Sequence, residues 1–143
     1  MNNNKNIFEI YDPRGDILLE KRSLSNRKNT LEGLRLGILD NSKWNANKIL
    51  RGSANALSQD IKFSKVNYYV KKHGFSIDAT IEMIEEIVND NDIVLTAIGD
   101  CGSCCSSCIR DAVALEDRGI PAAPVITTEF VNETKLTRLA IGM

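Results

Sequence analysis

All four cysteines of this chain, Cys101, Cys104, Cys105 and Cys108, fall within eight consecutive positions of the run GDCGSCCSSCIRDAVALEDRGIP (Gly99–Pro121). Four thiolates can bind zinc tetrahedrally or hold an iron–sulfur cluster, so a metal-binding module using all four is one reading. Structural zinc sites normally draw their ligand pairs from two separated knuckles, and four ligands around one helix start would be crowded. The C-G-S-C spacing of Cys101 and Cys104 is that of dithiol oxidoreductases. A strand running through a loop into a helix places Cys101 at the positive end of the helix dipole, beside unpaired backbone N–H groups that favour thiolate over thiol. Cys104, one turn on, can then attack an adduct formed on Cys101. Gly102 lets the backbone approach a ligand closely, and Ser103 can cap the helix. Nucleophile and resolver is the preferred assignment, with no metal and no cofactor.

Cys105 and Cys108 continue with Ala112 and Leu115 in a 3, 4, 3 stripe, and free cysteine packs as a small hydrophobe. Cys108 also lies one turn beyond Cys104, which makes it a possible accessory thiol. The single histidine, His73, sits in a loop, either solvated or in reach of a substrate proton. Lys43, flanked by Asn41 and Asn45, can offer a cation and amides to a carboxylate or phosphate; its plain alternative is a solvated lysine beside helix-capping asparagines. Asp100 either opposes the neighbouring thiolate or acts as an acid or base toward substrate.

These residues need elements to hold them. IFEIYDPRGDILLEKR (Ile7–Arg22) reads as a hairpin around the turn residues Asp12 to Gly15, after a frayed polar terminus over 1–6. A polar connector, SLSNRKNTLEG, follows. From Leu34 short apolar strands alternate with amphipathic helices. LRLGILD (Leu34–Asp40) is the first strand; Leu50, Ala54, Leu57 and Ile61 give the first helix a 4, 3, 4 stripe. KVNYYV (Lys65–Val70) is the second strand, and Ile77, Ile81, Ile84 and Val88 mark a helix capped by Ser76 or Asp78. DIVLTAIG (Asp92–Gly99) is almost continuously apolar, as a central parallel strand covered on both faces should be. SCIRDAVALEDRG is a helix ended by Gly119, and IPAAPVITT is a fourth strand. Its Pro124 requires an edge, a bulge or a start at Val125. One short helix fits the tail, where a fifth strand would be the natural next element.

The fold expected is α/β, a three-layer sandwich with a mostly parallel four-stranded sheet of order 2-1-3-4 and an N-terminal hairpin, in one domain over 7–143. Ligands in such sheets bind at the rim formed by the carboxyl ends of the strands. The loops carrying Asp40 to Asn45, His73, Asp100 to Cys104 and Thr128 all meet there.

Length and composition agree. At 143 residues the chain can bury a core without staples, and a net charge of −1 with 26% charged residues leaves no electrostatic footprint for nucleic acid or membrane. No apolar run approaches about 20 residues, and nothing reads as a signal peptide, so a cytoplasmic location with reduced thiols is expected.

GDCGSC, followed by DAVALEDRGIP and VITTEF, resembles the UGSC family, named for a motif whose first position is selenocysteine in some members and cysteine in others. The likeness extends to YDPRG and to LGILDNSKWNA, spanning most of Tyr11 to Phe130. A more distant likeness, over Cys101 to Pro121, is to the selenoprotein B subunit of glycine, sarcosine and betaine reductases. The resemblance implies that Cys101 occupies the selenocysteine position, that Cys104 is the motif cysteine, and that Asp40, Asn41, Lys43 and Asn45 form a companion loop. In the reductases a selenolate attacks an activated carbon and thiols supply electrons. Cys105 departs from the pattern, and the chain stops where the pattern continues into another strand. The exposed sheet edge this leaves predicts a partner chain or homodimer contact.

The leading expectation is therefore a thiol-dependent enzyme or enzyme subunit. Cys101 attacks an electrophilic, anionic small molecule, Cys104 resolves the adduct, and a thiol donor restores the pair. Asp40, Asn41, Lys43, Asn45, Asp100, Gly102, Ser103 and Thr128 bind substrate, with Cys108 and His73 as accessories. A dithiol–disulfide oxidoreductase acting on proteins, the four-cysteine metal module and a non-catalytic subunit are the alternatives.

Overall fold

The computed structural model describes residue 11 and residues 19–143. The polar terminus over 1–6 and nearly all of the expected hairpin over 7–22 lie outside the described residues; residues 19–22 and the connector after them form no strand. From residue 35 the chain runs β1 (Arg35–Asp40), α1 (Ala46–Asp60), β2 (Lys65–Val70), α2 (Ile81–Asp90), β3 (Ile93–Gly99), α3 (Gly102–Glu116), β4 (Ala122–Ile126) and α4 (Val131–Ala140). A single turn of 3-10 helix at Thr128–Phe130 precedes α4.

The four strands are parallel in the order β2-β1-β3-β4, as expected. Alternation along β1 explains the three layers. Leu36 and Ile38 pack on Ala46, Leu50 and Ala54 of α1, whereas Leu39 faces Ile84 and Ile87 of α2 and Leu115 of α3. Successive side chains of a strand point to opposite faces, so each face needs its own helical cover. Each Leu or Ile fully buried this way contributes about 1.5–3 kcal/mol relative to exposure. α4 lies outside α3, held by contacts such as Ser106 Oγ to Thr137 Oγ1 at 3.4 Å.

Pro124 is accommodated within β4 because β4 is an edge strand, the first of the three options its presence allowed. The neighbouring Ala122 N–H is also occupied, donating to Glu116 Oε1 at 2.9 Å. Two positions of this edge therefore offer no free donor to an added strand.

Two helix starts differ from expectation. α2 begins at Ile81 with Thr80 as its cap, Thr80 Oγ1 accepting from Met83 N at 3.3 Å, and not after Ser76 or Asp78. The reason is tertiary. Lys71 Nζ donates to the Ile77 carbonyl at 2.6 Å and Asp111 Oδ1 accepts from Ala79 N at 2.7 Å, so the groups an earlier turn would use are already taken. Ile77 is consequently exposed and the buried stripe is Ile84 and Ile87. α3 starts at Gly102, five residues before the expected Ser107, with Cys101 as its N-cap in place of Ser103. It ends as anticipated, Gly119 taking φ 84° and donating its N–H to the Glu116 carbonyl at 2.9 Å. Among the described residues no helix is long and apolar enough to cross a membrane.

Candidate functional site

The loop after β3 carries the thiols. Cys101 is extended, with φ −152° and ψ 165°, which turns the chain from strand into helix and aims its side chain back over the first turn. Cys101 Sγ accepts from Cys104 N at 3.4 Å, while Cys101 N donates to Cys104 Sγ at 3.0 Å, a reciprocal capping box made with sulfur. The two sulfurs are within bonding range and the Cα atoms are 5.5 Å apart, a separation a disulfide spans. Cys101 is half-buried at the rim; Cys104 is fully buried. Ser103 Oγ lies 3.7 Å from Cys101 Sγ. At Gly102 a Cβ would meet no other atom within 4 Å, so the first turn of α3 is open on that side.

Two charged groups stand over the buried sulfur. Cys104 Sγ donates to Asp100 Oδ1 at 3.2 Å, and Lys43 Nζ lies 3.5 Å from the same sulfur. Lys43 also pairs with Asp100 at 2.5 Å and sits 5.0 Å from the centroid of the Phe75 ring. The loop after β1 delivers this lysine. Asn41, buried, donates from Nδ2 to the Ile98 carbonyl at 2.9 Å and toward Cys108 Sγ at 3.5 Å, and its Oδ1 accepts from Lys43 N at 3.3 Å. Asn41 is thus a strut between β1 and β3, not a group presented to solvent. Asp40 Oδ1 accepts from Ser42 N at 2.7 Å, and burial raises the Asp40 carboxyl above its ordinary range. Ser42 and Asn45 adopt φ 61° and 69°, so the loop turns sharply twice before α1. Asn45 occupies the N-cap of α1 without a side-chain capping bond.

An open cleft of about 480 Å³ lies at the loop after β1, with Asp40, Lys43, Trp44, Asn45, Lys48 and Arg51 in its wall. Lys43 is common to the cleft and the dithiol. A second cavity, about 260 Å³, lies away from the rim between Leu24, Val113, Pro124 and Met143.

The other sequence candidates sit elsewhere. Cys105 is fully buried, its Sγ 3.1 Å from Thr134 Oγ1 of α4. A Cβ on Gly99 would come within 3.0 Å of Cys105 Cα, so α3 crosses β3 closely there and a small side chain suits position 105. Cys108 is buried behind Asn41, and burial pushes its thiol up to about 12. The four cysteines are not gathered around one point. Among the described residues, the group that could share a metal ion is Asp100, Cys101 and Cys104, with ligand atoms within 4.8 Å of one another. His73 is exposed and forms no hydrogen bond among the described residues. Thr128 is exposed; its neighbour Thr127 makes the contact to the β3 terminus, donating from N and Oγ1 to the Gly99 carbonyl at 3.0 and 3.3 Å.

Sequence reasoning passed over three contributors. Lys48 and Arg51 were hidden among ordinary surface charges of α1, although their i, i+3 spacing was legible. Phe75 had no local signal. The buried pair Lys71–Asp111, 2.7 Å apart with Ser107 Oγ 2.8 Å from Lys71 Nζ, fixes the loop that carries Phe75. Burial raises the Asp111 carboxyl, and the Lys71 charge opposes that rise.

A family model described as the UGSC family matches residues 9–143. No curated protein matches the chain.

Proposed function

Because this chain belongs to the UGSC family, we propose that it is a thiol-dependent enzyme or enzyme subunit acting on a small electrophile, with Cys101 as nucleophile and Cys104 as resolving thiol. One observation carries the reading: the half-buried sulfur at the helix N-cap and the fully buried sulfur one turn inward lie within bonding range. An outer sulfur can meet a substrate, and an inner one can reach only its partner.

The chemistry follows from that asymmetry. Cys101 thiolate displaces X⁻ from an activated carbon of R–X, giving a Cys101–S–R adduct. Cys104 thiolate then attacks the Cys101 sulfur, forming the disulfide and releasing R⁻, which takes a proton to become R–H. Two thiols and R–X thus yield a disulfide, R–H and HX, a two-electron reduction. R must bear a group that stabilises the departing carbanion. An external thiol donor reduces the disulfide and closes the cycle. Lys43 favours the Cys104 thiolate for the second step, and the Asp100 carboxylate beside it opposes that charge.

The test is alkylation of the reduced protein, read by mass spectrometry at each cysteine, in wild type, Cys101→Ser and Cys104→Ser. Cys101 should react first, and mild oxidation should join Cys101 to Cys104 in wild type only. Equal protection of both, relieved by a chelator, would replace this reading with a metal site on Asp100, Cys101 and Cys104. A partner at the β4 edge belongs to the same proposal. With the Ala122 donor taken and Pro124 having none, it would engage side chains and not extend the sheet.

A further inference from the structure

The cleft that shares Lys43 with the dithiol contains cations that the thiol chemistry does not use. Lys43 is committed to Asp100 and Cys104. Lys48 and Arg51 are not: among the described residues neither takes part in an ion pair, and both line the cleft. Each is steadied by an aromatic ring, Lys48 Nζ 6.0 Å from the Trp44 centroid and the Arg51 guanidinium 4.3 Å from that of Tyr68. An arginine resting on a ring keeps its fork oriented, which suits two-point contact with a carboxylate or phosphate.

One acid lies among these cations. Asp40 is 8% exposed and lines the cleft; its Oδ1 is held by Ser42 N, while its Oδ2 accepts no hydrogen bond among the described residues. That oxygen is open to the cleft, so a ligand's donor can take the place of water there. The cleft volume of about 480 Å³ is in the range of small-metabolite sites. Trp44, 83% exposed, supplies an apolar flank.

We infer that this cleft binds a small ligand with two poles, an anionic group held by Lys48 and Arg51 and an N–H or O–H donor received by Asp40. The inference rests on the thiol reading only in calling that ligand the substrate. Lys48 and Arg51 therefore take the anion-holding role that residue type alone suggested for Lys43, and Asp40 discriminates among anions. Lys43 is shared by cleft and dithiol.

Trp44 is the sole tryptophan of the chain, so its emission reports on the cleft directly. The full chain carrying Cys101→Ser, in which the proposed nucleophile is absent, is titrated with two matched pairs: β-alanine against propionate, and taurine against ethanesulfonate. At least one donor-bearing probe should give a saturable change and bind more tightly than its plain partner. Lys48→Gln and Arg51→Gln should each weaken that probe roughly tenfold, and Asp40→Asn should abolish the preference within the pair without weakening the plain anion. Lys48 is exposed, so Lys48→Gln decides the matter if Arg51→Gln does not fold. No saturable response to any probe, unchanged binding in Lys48→Gln, or equal affinity within both pairs overturns the inference. Because the readout needs no thiol, binding with inert cysteines sinks the thiol reading alone, and reactive cysteines with an unresponsive cleft sink this one alone.

Discussion

Lys43 Nζ and Asp100 Oδ1 lie 2.5 Å apart, and both reach the same sulfur, Cys104 Sγ, at 3.5 and 3.2 Å. The cation favours the thiolate and the anion favours the thiol, so the pair balances two opposed charges over one proton. Lys43→Gln should slow attack of Cys104 on a mixed disulfide at Cys101 about tenfold near neutral pH, because Asp100 then acts unopposed. Asp100→Asn should speed it by several-fold for the opposite reason. The rate of disulfide closure from a mixed disulfide preformed on Cys101, read by mass spectrometry, checks both; changes of the same sign in the two variants would refute the charge account.

Cys108 should be silent. With its thiol pushed up to about 12 by burial, it stays protonated at pH 9 and unlabelled while the fold is intact. Labelling should appear only as denaturant unfolds the chain. Cys108→Ala should lower stability by about 1–2 kcal/mol in a denaturant titration and leave the labelling rate of Cys101 unchanged.

Glu116 ties the connector to the sheet edge. Its carboxylate accepts from Ser25 N at 2.7 Å, Ser25 Oγ at 2.6 Å, Arg27 Nη1 at 2.9 Å and Ala122 N at 2.9 Å. Burial alone would raise this acid, but the hydrogen bonds outweigh it and hold the carboxyl below its ordinary value of 4.5. A folded-state value below the unfolded one means stability that is present above pH 4.5 and lost as pH falls through the folded value. Glu116→Gln should cost about 2–3 kcal/mol at pH 7 and flatten the acid limb of a stability–pH curve. An unchanged acid limb would show that the depression has no stabilising effect.

The Lys71–Asp111 pair should be sensitive to loss of one partner and tolerant to loss of both. Lys71→Met leaves a buried carboxylate uncompensated and should cost about 3–5 kcal/mol. Adding Asp111→Leu should recover part of that loss. Asp111 is raised, so its sign is opposite to that of Glu116: any stability it contributes is present below its unfolded value of 3.8 and declines as pH rises through the folded value. Urea midpoints of the single and double variants over pH 4–8 check both statements.

Much of this architecture follows from local pattern. Four apolar strands alternating with amphipathic stripes dictated a parallel sheet, and general crossover rules yielded its order of 2-1-3-4. The C-G-S-C run before a helix placed Cys101 at a helix start, because strand, loop and helix are contiguous in the chain. Cys105 and Cys108 were legible as core for the same reason: a 3, 4, 3 stripe is a property of one helix.

What the tertiary structure alone decided concerns groups far apart in sequence. Lys43 reaches Asp100 and Cys104 across some sixty residues, and its local sequence names neither partner, while Lys48 takes part in no ion pair among the described residues. The start of α2 was set likewise. Lys71 and Asp111 claimed the backbone around Ile77 and Ala79, delaying α2, whereas the start of α3 at Gly102 rests on a local sulfur capping box between Cys101 and Cys104. Periodicity reports which side a residue faces. Which partner satisfies its charge or its hydrogen bond depends on how the loops meet at the rim, and that exists only once the sheet has formed.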